Sequence, residues 1–411
     1  MSIIQFFAGN KRFLMFGMAV AAFASLGQTY FIGIFRPDIM AQYQLSDSSF
    51  GAWYLIITLG SAVGLNHFGP LLDKVPLHRW IIVISFLLAL AVLCVAMGVN
   101  FAMVVIGLLF TRMVGQGLMI HTVMTSMSRY YGPNRGRAIS IASLGMPIGQ
   151  AIYPVLAVYI LTFVDWQTTW AYFGLAHLLI ALPIMLWLLK GHKERHNIWQ
   201  AEMDSDTQRD TGVADINLRR KDMLRDYQFY LLMPAVMALP FWVTAVFFYA
   251  ETIATAKGWT LGQYTGLYWM NAVGAMLVPL FSGSLVDKFG GKRLQWLPHP
   301  ILATGMFIGI YSDSLLGVSA FLLLLGVSMG FAIPINNAVW AELYGTRYLG
   351  EIKSMVTSVL VFSTALAPYL LGLAMDAGYQ IETLMWGGVL HGVISIFLVL
   401  PIVKSGSSAK K

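Results

Sequence analysis

Twelve apolar runs of helical length, separated by short polar stretches, set the rhythm of this chain. They fall near 13–41, 48–70, 79–98, 101–128, 137–162, 168–190, 227–256, 262–286, 294–311, 315–341, 352–375 and 380–403. Most approach or exceed the roughly 20 residues that an α-helix needs to cross a hydrocarbon core. The pattern predicts an all-α membrane protein of twelve transmembrane helices. Between the sixth and seventh runs, residues 191–226 mix Lys and Arg with Asp and Glu and read as a solvated cytoplasmic linker. The division is therefore a first six-helix half over 1–190, that linker, a second half over 227–403 and a cytoplasmic tail over 404–411.

Composition narrows the function classes. Of 411 residues, 58% are hydrophobic and 11% charged, against about 25% charged in ordinary globular chains. Twelve spans leave no room for a sizeable soluble domain, which excludes a soluble enzyme. The one cysteine, Cys94, lies inside an apolar run, so neither a disulfide framework nor a cysteine-based zinc cluster can form, and no metal or cofactor is expected. There is no G-x-x-x-x-G-K-[ST] run, which points to a gradient rather than ATP as the energy source. The first apolar stretch, Phe13 to Phe35, exceeds the short apolar region of a signal peptide and reads as a retained helix.

The net charge of +7 is scattered between apolar runs rather than gathered on one face, which argues against nucleic acid as a partner and leaves the lipid bilayer. With both termini cytoplasmic, every Lys and Arg except Arg36, Arg112 and Lys257 falls on the cytoplasmic side. That asymmetry predicts the orientation, in an inner or plasma membrane.

Two landmarks repeat at one interval. Gly69-Pro70-Leu71-Leu72-Asp73-Lys74, followed by His78-Arg79, returns 214 residues later as Gly283-Ser284-Leu285-Val286-Asp287-Lys288, followed by Lys292-Arg293. Tyr131-Gly132 returns as Tyr344-Gly345, 213 residues on. The chain reads as a duplicated six-helix unit.

These residues resemble the major facilitator superfamily, whose loop between helices two and three carries G-x-x-x-D-[KR]-x-G-x-[KR]-[KR]. The second copy, Gly283 to Arg293 with Gly290, matches it nearly fully, whereas the first places Pro76 where the inner glycine is expected. The resemblance implies two pseudo-symmetric halves that rock about a midplane cavity. A carboxylate at a helix end can face the positive N-terminus of another helix. Asp73, with Lys74, is expected to meet the start of helix eleven near Gly350. Asp287, with Lys288, is expected to meet the start of helix five near Gly136 and Arg137. Glu342 corresponds to Arg129 through the repeat, and opposite charges at equivalent inner ends suit a gate.

Candidate transport residues follow from cost. Arg112 lies about eleven residues into helix four, about 17 Å from its outer end at 1.5 Å per residue, where a charge is expensive and by default functional. By α-helical projection Gln116 shares its face, and His121 is turned about 180° away. Gln28 and Tyr30 on helix one, Asn271 on helix eight, and Asn336 and Asn337 on helix ten are further polar candidates for substrate binding. Pro234 and Pro240 predict a broken helix seven, followed by Trp242 and Tyr249 on one face and by Glu251. Glu251 and His121 are the candidate proton carriers. Arg112-Met113-Val114-Gly115-Gln116-Gly117 and Gly145-Met146-Pro147-Ile148-Gly149 resemble patterns of facilitator antiporters.

The expected function is a proton-coupled secondary transporter of a small organic anion, a carboxylate, working as a monomer by alternating access. The pattern also resembles bacterial monocarboxylate and organic anion facilitators. A proton-coupled multidrug or metabolite exporter is the alternative, and a non-transporting receptor on the same fold is a more distant one.

Overall fold

The computed structural model describes residues 3–205, 218–345 and 347–405, and among the described residues every regular element is a helix. Ten helices are long and apolar enough to cross a membrane, and a bent pair makes an eleventh. In chain order they are α1 (Gln5–Gly27 and Thr29–Tyr43, bent by 45°), α2 (Asp47–Asp73), α3 (Leu77–Met97), α4 (Phe101–Tyr131), α5 (Arg135–Leu161), α6 (Trp166–Leu188) and α7 (Tyr227–Phe248). The later ones are α8 (Leu261–Phe289), α9 (Pro298–Tyr311), α10 (Leu315–Tyr344), α11 (Leu349–Asp376) and α12 (Ile381–Val403). α9 has only 14 residues, about 21 Å at 1.5 Å per residue. The turn Gly291–Leu294 and a break before Pro298 precede it. The fold is the expected twelve-helix one, with its ninth helix short.

The chain divides into two compact units, Met1–Asp38 with Ile56–Thr211, and Ile39–Leu55 with Gly212–Lys411. In the first unit, α3 and α4 pack at Gly107, where a Cβ would fall 2.8 Å from the Val95 backbone nitrogen. In the second, α8 and α10 pack most extensively. Gly274 comes so close to α10 that a Cβ would sit 2.6 Å from the Val327 nitrogen, and the buried Asn271 donates from Nδ2 to the Leu322 carbonyl at 3.1 Å. Small residues let membrane helices approach this closely, and polar side chains then join them.

Three local features depart from the sequence reading. Helix one is not continuous: after Phe23 a 3₁₀ turn, Ala24–Gly27, leads to an extended Gln28 (φ −88°, ψ 150°) before Thr29–Ile32 resumes. Helix seven is the reverse case. Both Pro234 and Pro240 lie inside one continuous helix, and the interruption comes at Tyr249. Side chains of neighbouring helices bond to carbonyls of this proline-containing stretch: Ser363 Oγ donates to the Met237 carbonyl at 3.1 Å, and His391 Nε2 lies 2.9 Å from the Pro234 carbonyl. Finally, the segment expected to be a solvated linker begins with a helix, His192–Ser205, and ends with the short helix Arg220–Met223. Leu218 before the latter donates its N–H to the Tyr344 carbonyl at 3.0 Å.

Candidate functional site

Four of the sequence candidates meet where the break in α1 crosses α4, inside the first unit. The crossing is made by glycine. A Cβ on Gly27 would lie 2.6 Å from both the Gln116 nitrogen and the Thr111 carbonyl oxygen, and one on Gly115 would lie 2.9 Å from the Gly27 nitrogen. Backbone therefore rests on backbone. At the same level α4 becomes a π-helix over Arg112–Met119. Such segments are rare and frequent at functional sites.

Arg112 opens the π-helix and is only 1% exposed. Its Nη1 lies 3.5 Å from Thr29 Oγ1, on the residue that restarts α1 after the break. Gln28, at the break itself, is 6% exposed, and its Nε2 has no hydrogen-bond partner among the described residues. Tyr30 is buried with its hydroxyl 2.9 Å from Ser25 Oγ, which also donates to the Ala22 carbonyl at 2.6 Å. Gln116 is half-buried one turn along α4. Behind them Phe31 packs edge-on against Tyr153, Trp170 and Phe173. The stretches 1–37 and 74–164, which hold α1 up to its bend and all of α3, α4 and α5, contain no Asp or Glu. The site presents guanidinium, amide and hydroxyl donors in a field of positive sign.

The π-helix also alters a geometric expectation. Each π step turns the chain by roughly 80° rather than 100°, so the α-helical projection that set His121 opposite Arg112 does not hold beyond Met119. His121 instead lies beside the end of α2: a Cβ on Gly69 would be 3.6 Å from its Nε2, and that nitrogen is 3.4 Å from Thr125 Oγ1.

The candidates of the second unit do not gather. Trp242 donates from Nε1 to His391 Nδ1 on α12 at 3.2 Å, whereas Tyr249 donates its hydroxyl to the Pro368 carbonyl on α11 at 2.5 Å. Two residues that spacing had placed on one face thus bond to different helices. Asn271 serves the α8–α10 contact already described. Asn336 Oδ1 accepts from Gln295 Nε2 at 3.0 Å, and Asn337 Oδ1 from Lys353 Nζ at 3.2 Å. Glu251 lies past the end of α7, accepts from Thr255 Oγ1 at 3.0 Å and borders a cavity of about 370 Å³ beside Tyr379.

The gating candidates fall at helix ends. Asp73 is ion-paired with Arg129 of α4 in its own half, a partner that sequence reading had not assigned to it. In the second unit Glu342 accepts from the Gly291 and Lys292 N–H groups at 2.5 and 2.9 Å. The repeat therefore keeps the contact between the loop after the second helix and the end of the fourth, with the carboxylate moved to the other side. Lys74, Arg137, Asp287 and Lys288 are exposed, and Lys288 Nζ sits 5.2 Å over the Phe289 ring. Thr29, Tyr153 and the break at Gln28 escape sequence reading, although Gly27 and Gly115 are the signal that finds the crossing.

Comparison with known proteins agrees on the fold. The family model for the Major Facilitator Superfamily matches residues 17–368, and no curated protein matches the chain. Among solved structures, a bacterial homologue of the human lysosomal transporter Spinster, inward-facing and unoccupied, superposes with a TM-score of 0.64 at 12% identity, covering 95% of this chain and 96% of that one. A D-xylose–proton symporter gives 0.65 at 15% identity, covering 95% and 97%. With a family match across most of its length and a helical architecture shared with these carriers, the chain belongs to the major facilitator superfamily of transporters.

Proposed function

We propose that this transporter moves a small organic anion, a carboxylate, together with protons, by alternating access as a monomer of an inner or plasma membrane with both termini cytoplasmic. One observation carries the substrate class: a buried guanidinium, at a π-helix crossing a broken helix, sits among the polar side chains of Gln28, Thr29 and Tyr30 on helices whose facing segments hold no carboxylate. Guanidinium offers a bidentate fork to a carboxylate, and the low local dielectric strengthens the contact. Glu251 and His121 are the titratable groups assigned to the proton, by analogy of fold with the D-xylose–proton symporter. The basic asymmetry of the loops supports the orientation.

The test is binding and uptake by purified protein across a panel of carboxylates, sugars and cationic drugs. A carboxylate should raise the melting temperature, and its methyl ester should not. Arg112→Lys should bind more weakly by about tenfold and Arg112→Gln more weakly still. Uptake into liposomes should follow an imposed pH gradient without ATP and collapse with a protonophore. Normal binding by Arg112→Gln, or a cationic best ligand, would refute the anion reading and favour a multidrug or metabolite exporter.

A further inference from the structure

Away from the α1–α4 crossing, the first unit holds a second concavity, a cavity of about 550 Å³. Three elements wall it: the turn from α2 into α3, the last turns of α4, and the start of the helix His192–Ser205. Three cations line it, Lys74, Arg129 and Lys193, with three histidines, His78, His192 and His196. Among the described residues Asp73 is the one carboxylate in the wall, and Arg129 holds it. With the histidines neutral, three positive charges against one negative leave the lining at +2.

The histidines are set by their contacts. Tyr130 Oη lies 3.0 Å from His196 Nδ1; when the phenol donates, the imidazole N–H is left on Nε2. His192 is stacked on Phe13 with ring centroids 5.2 Å apart, and its Nδ1 is buried with no hydrogen-bond partner among the described residues. Arg129 also lies over the Trp199 ring at 5.4 Å, which holds the cation against this helix. The positive field is felt within the cluster: His192 is pushed down to about 4, first by burial and then by Arg195, His196, His78 and Arg129.

We propose that this cavity binds a phosphate monoester, through Lys74, Lys193 and the imidazoles of His78, His192 and His196. A dianion matches the charge of the lining, tetrahedral oxygens can accept from several donors at once, and the volume exceeds that of a single phosphate group. The phosphate can come from a soluble metabolite or from the headgroup of a phosphatidic-acid-type lipid. Phe68 and Leu71, exposed apolar residues at the end of α2, are neighbours that suit the second source.

The experiment uses the full chain. Melting temperature is followed in detergent against glycerol 1-phosphate, with sodium chloride at matched ionic strength as reference. A saturable rise beyond the salt reference is expected, with half-saturation shifted up by about tenfold in Lys193→Ala and in His196→Gln. His196→Asn guards against misfolding of a single variant: all three should melt within a few degrees of the parent without ligand and differ from it in the phosphate response. The same titration in phosphatidylcholine nanodiscs with and without phosphatidic acid separates the sources. Competition by the lipid assigns the site to a headgroup, and an unchanged titration assigns it to a soluble phosphate. A response equal to that of chloride, or one that all the variants share with the parent, overturns the site.

Discussion

At the residue scale, the three basic residues that the loop asymmetry leaves outside the cytoplasmic segments are Arg36, Arg112 and Lys257, and the structure buries all three, at 4%, 1% and 8% exposure. Lys257 is tied down by the Ser312 carbonyl and the Asp313 carboxylate at 3.0 and 3.1 Å. Charge counting located them, since an arginine deep in an apolar run is conspicuous in sequence. What surrounds Arg112 was less legible, because the crossing depends on a glycine pair whose value lies in absent atoms. That makes a sharp prediction. Gly27→Ala should destabilise by about 1–3 kcal/mol, because its methyl group would meet backbone that cannot move aside. Gly136→Ala, where nothing lies within 4 Å, should be neutral or stabilise by up to about 1 kcal/mol. Denaturant unfolding in detergent measures both, and the Gly27 variant should also lose ligand binding.

At the element scale, helix existence was readable throughout and helix continuity was not. Proline signals a break to the eye, yet α7 runs through two of them, with Ser363 and His391 of neighbouring helices bonded to carbonyls of that helix. α1 breaks with no proline present, where Gly27 is pressed against α4. Mixed charge made the linker look wholly solvated, but successive turns of His192–Ser205 carry His192, His196 and Trp199, which pack on Tyr130. This helix lies outside the spans and should respond to acid. His192 titrates at about 4 in the fold, against about 6.5 in an unfolded chain. Folding thus favours the neutral ring. Its contribution is complete above pH 6.5 and is lost as pH falls towards 4. His192→Phe keeps the stack on Phe13 without the proton, so its melting temperature should fall less than that of the parent between pH 6.5 and 4.

At the scale of the whole molecule, α2 is notable because its residues are divided: Asp47–Leu55 belong to the second unit and the remainder to the first. Within the second unit its start is fixed to α11. Asp376 accepts from the Asp47 and Ser48 N–H groups at 3.2 and 3.0 Å. A Cβ on Gly51 would lie 2.6 Å from the Pro368 carbonyl oxygen, and one on Gly372 would lie 2.6 Å from that of Asp47. Phe248 stacks on Phe50 and meets Tyr54 edge-on. This too is a carboxylate facing a helix start, at the ends of α2 and α11 opposite to those for which sequence reasoning expected Asp73 to serve, and Asp376 was not among its candidates. Asp376→Asn removes the charge from an exposed cap and should cost about 1 kcal/mol or less. Its larger effect should be faster maleimide labelling of a cysteine placed at Ser48, in a Cys94→Ser background. Unchanged labelling would show that the glycine contacts alone hold the joint.

The π-helix of α4 can be viewed as a surplus residue lodged inside a span. A π segment holds more residues per turn than the α-helix around it, so it behaves as an insertion that the fold has kept. Removing one residue from most membrane helices leaves everything beyond it turned by about 100°. Here a deletion has somewhere to go. Excising Val114 should let α4 close into regular α-helix, with helical content by circular dichroism unchanged. The loss would be one of phasing: Gly115 beneath Gly27 and Arg129 beside Asp73 are held in register only by the extra residue, and the shortened helix could satisfy one of them but not both. A carrier that is fully helical, well expressed and inactive is the expected result, and a fully active one would mean that the surplus residue serves no purpose in transport.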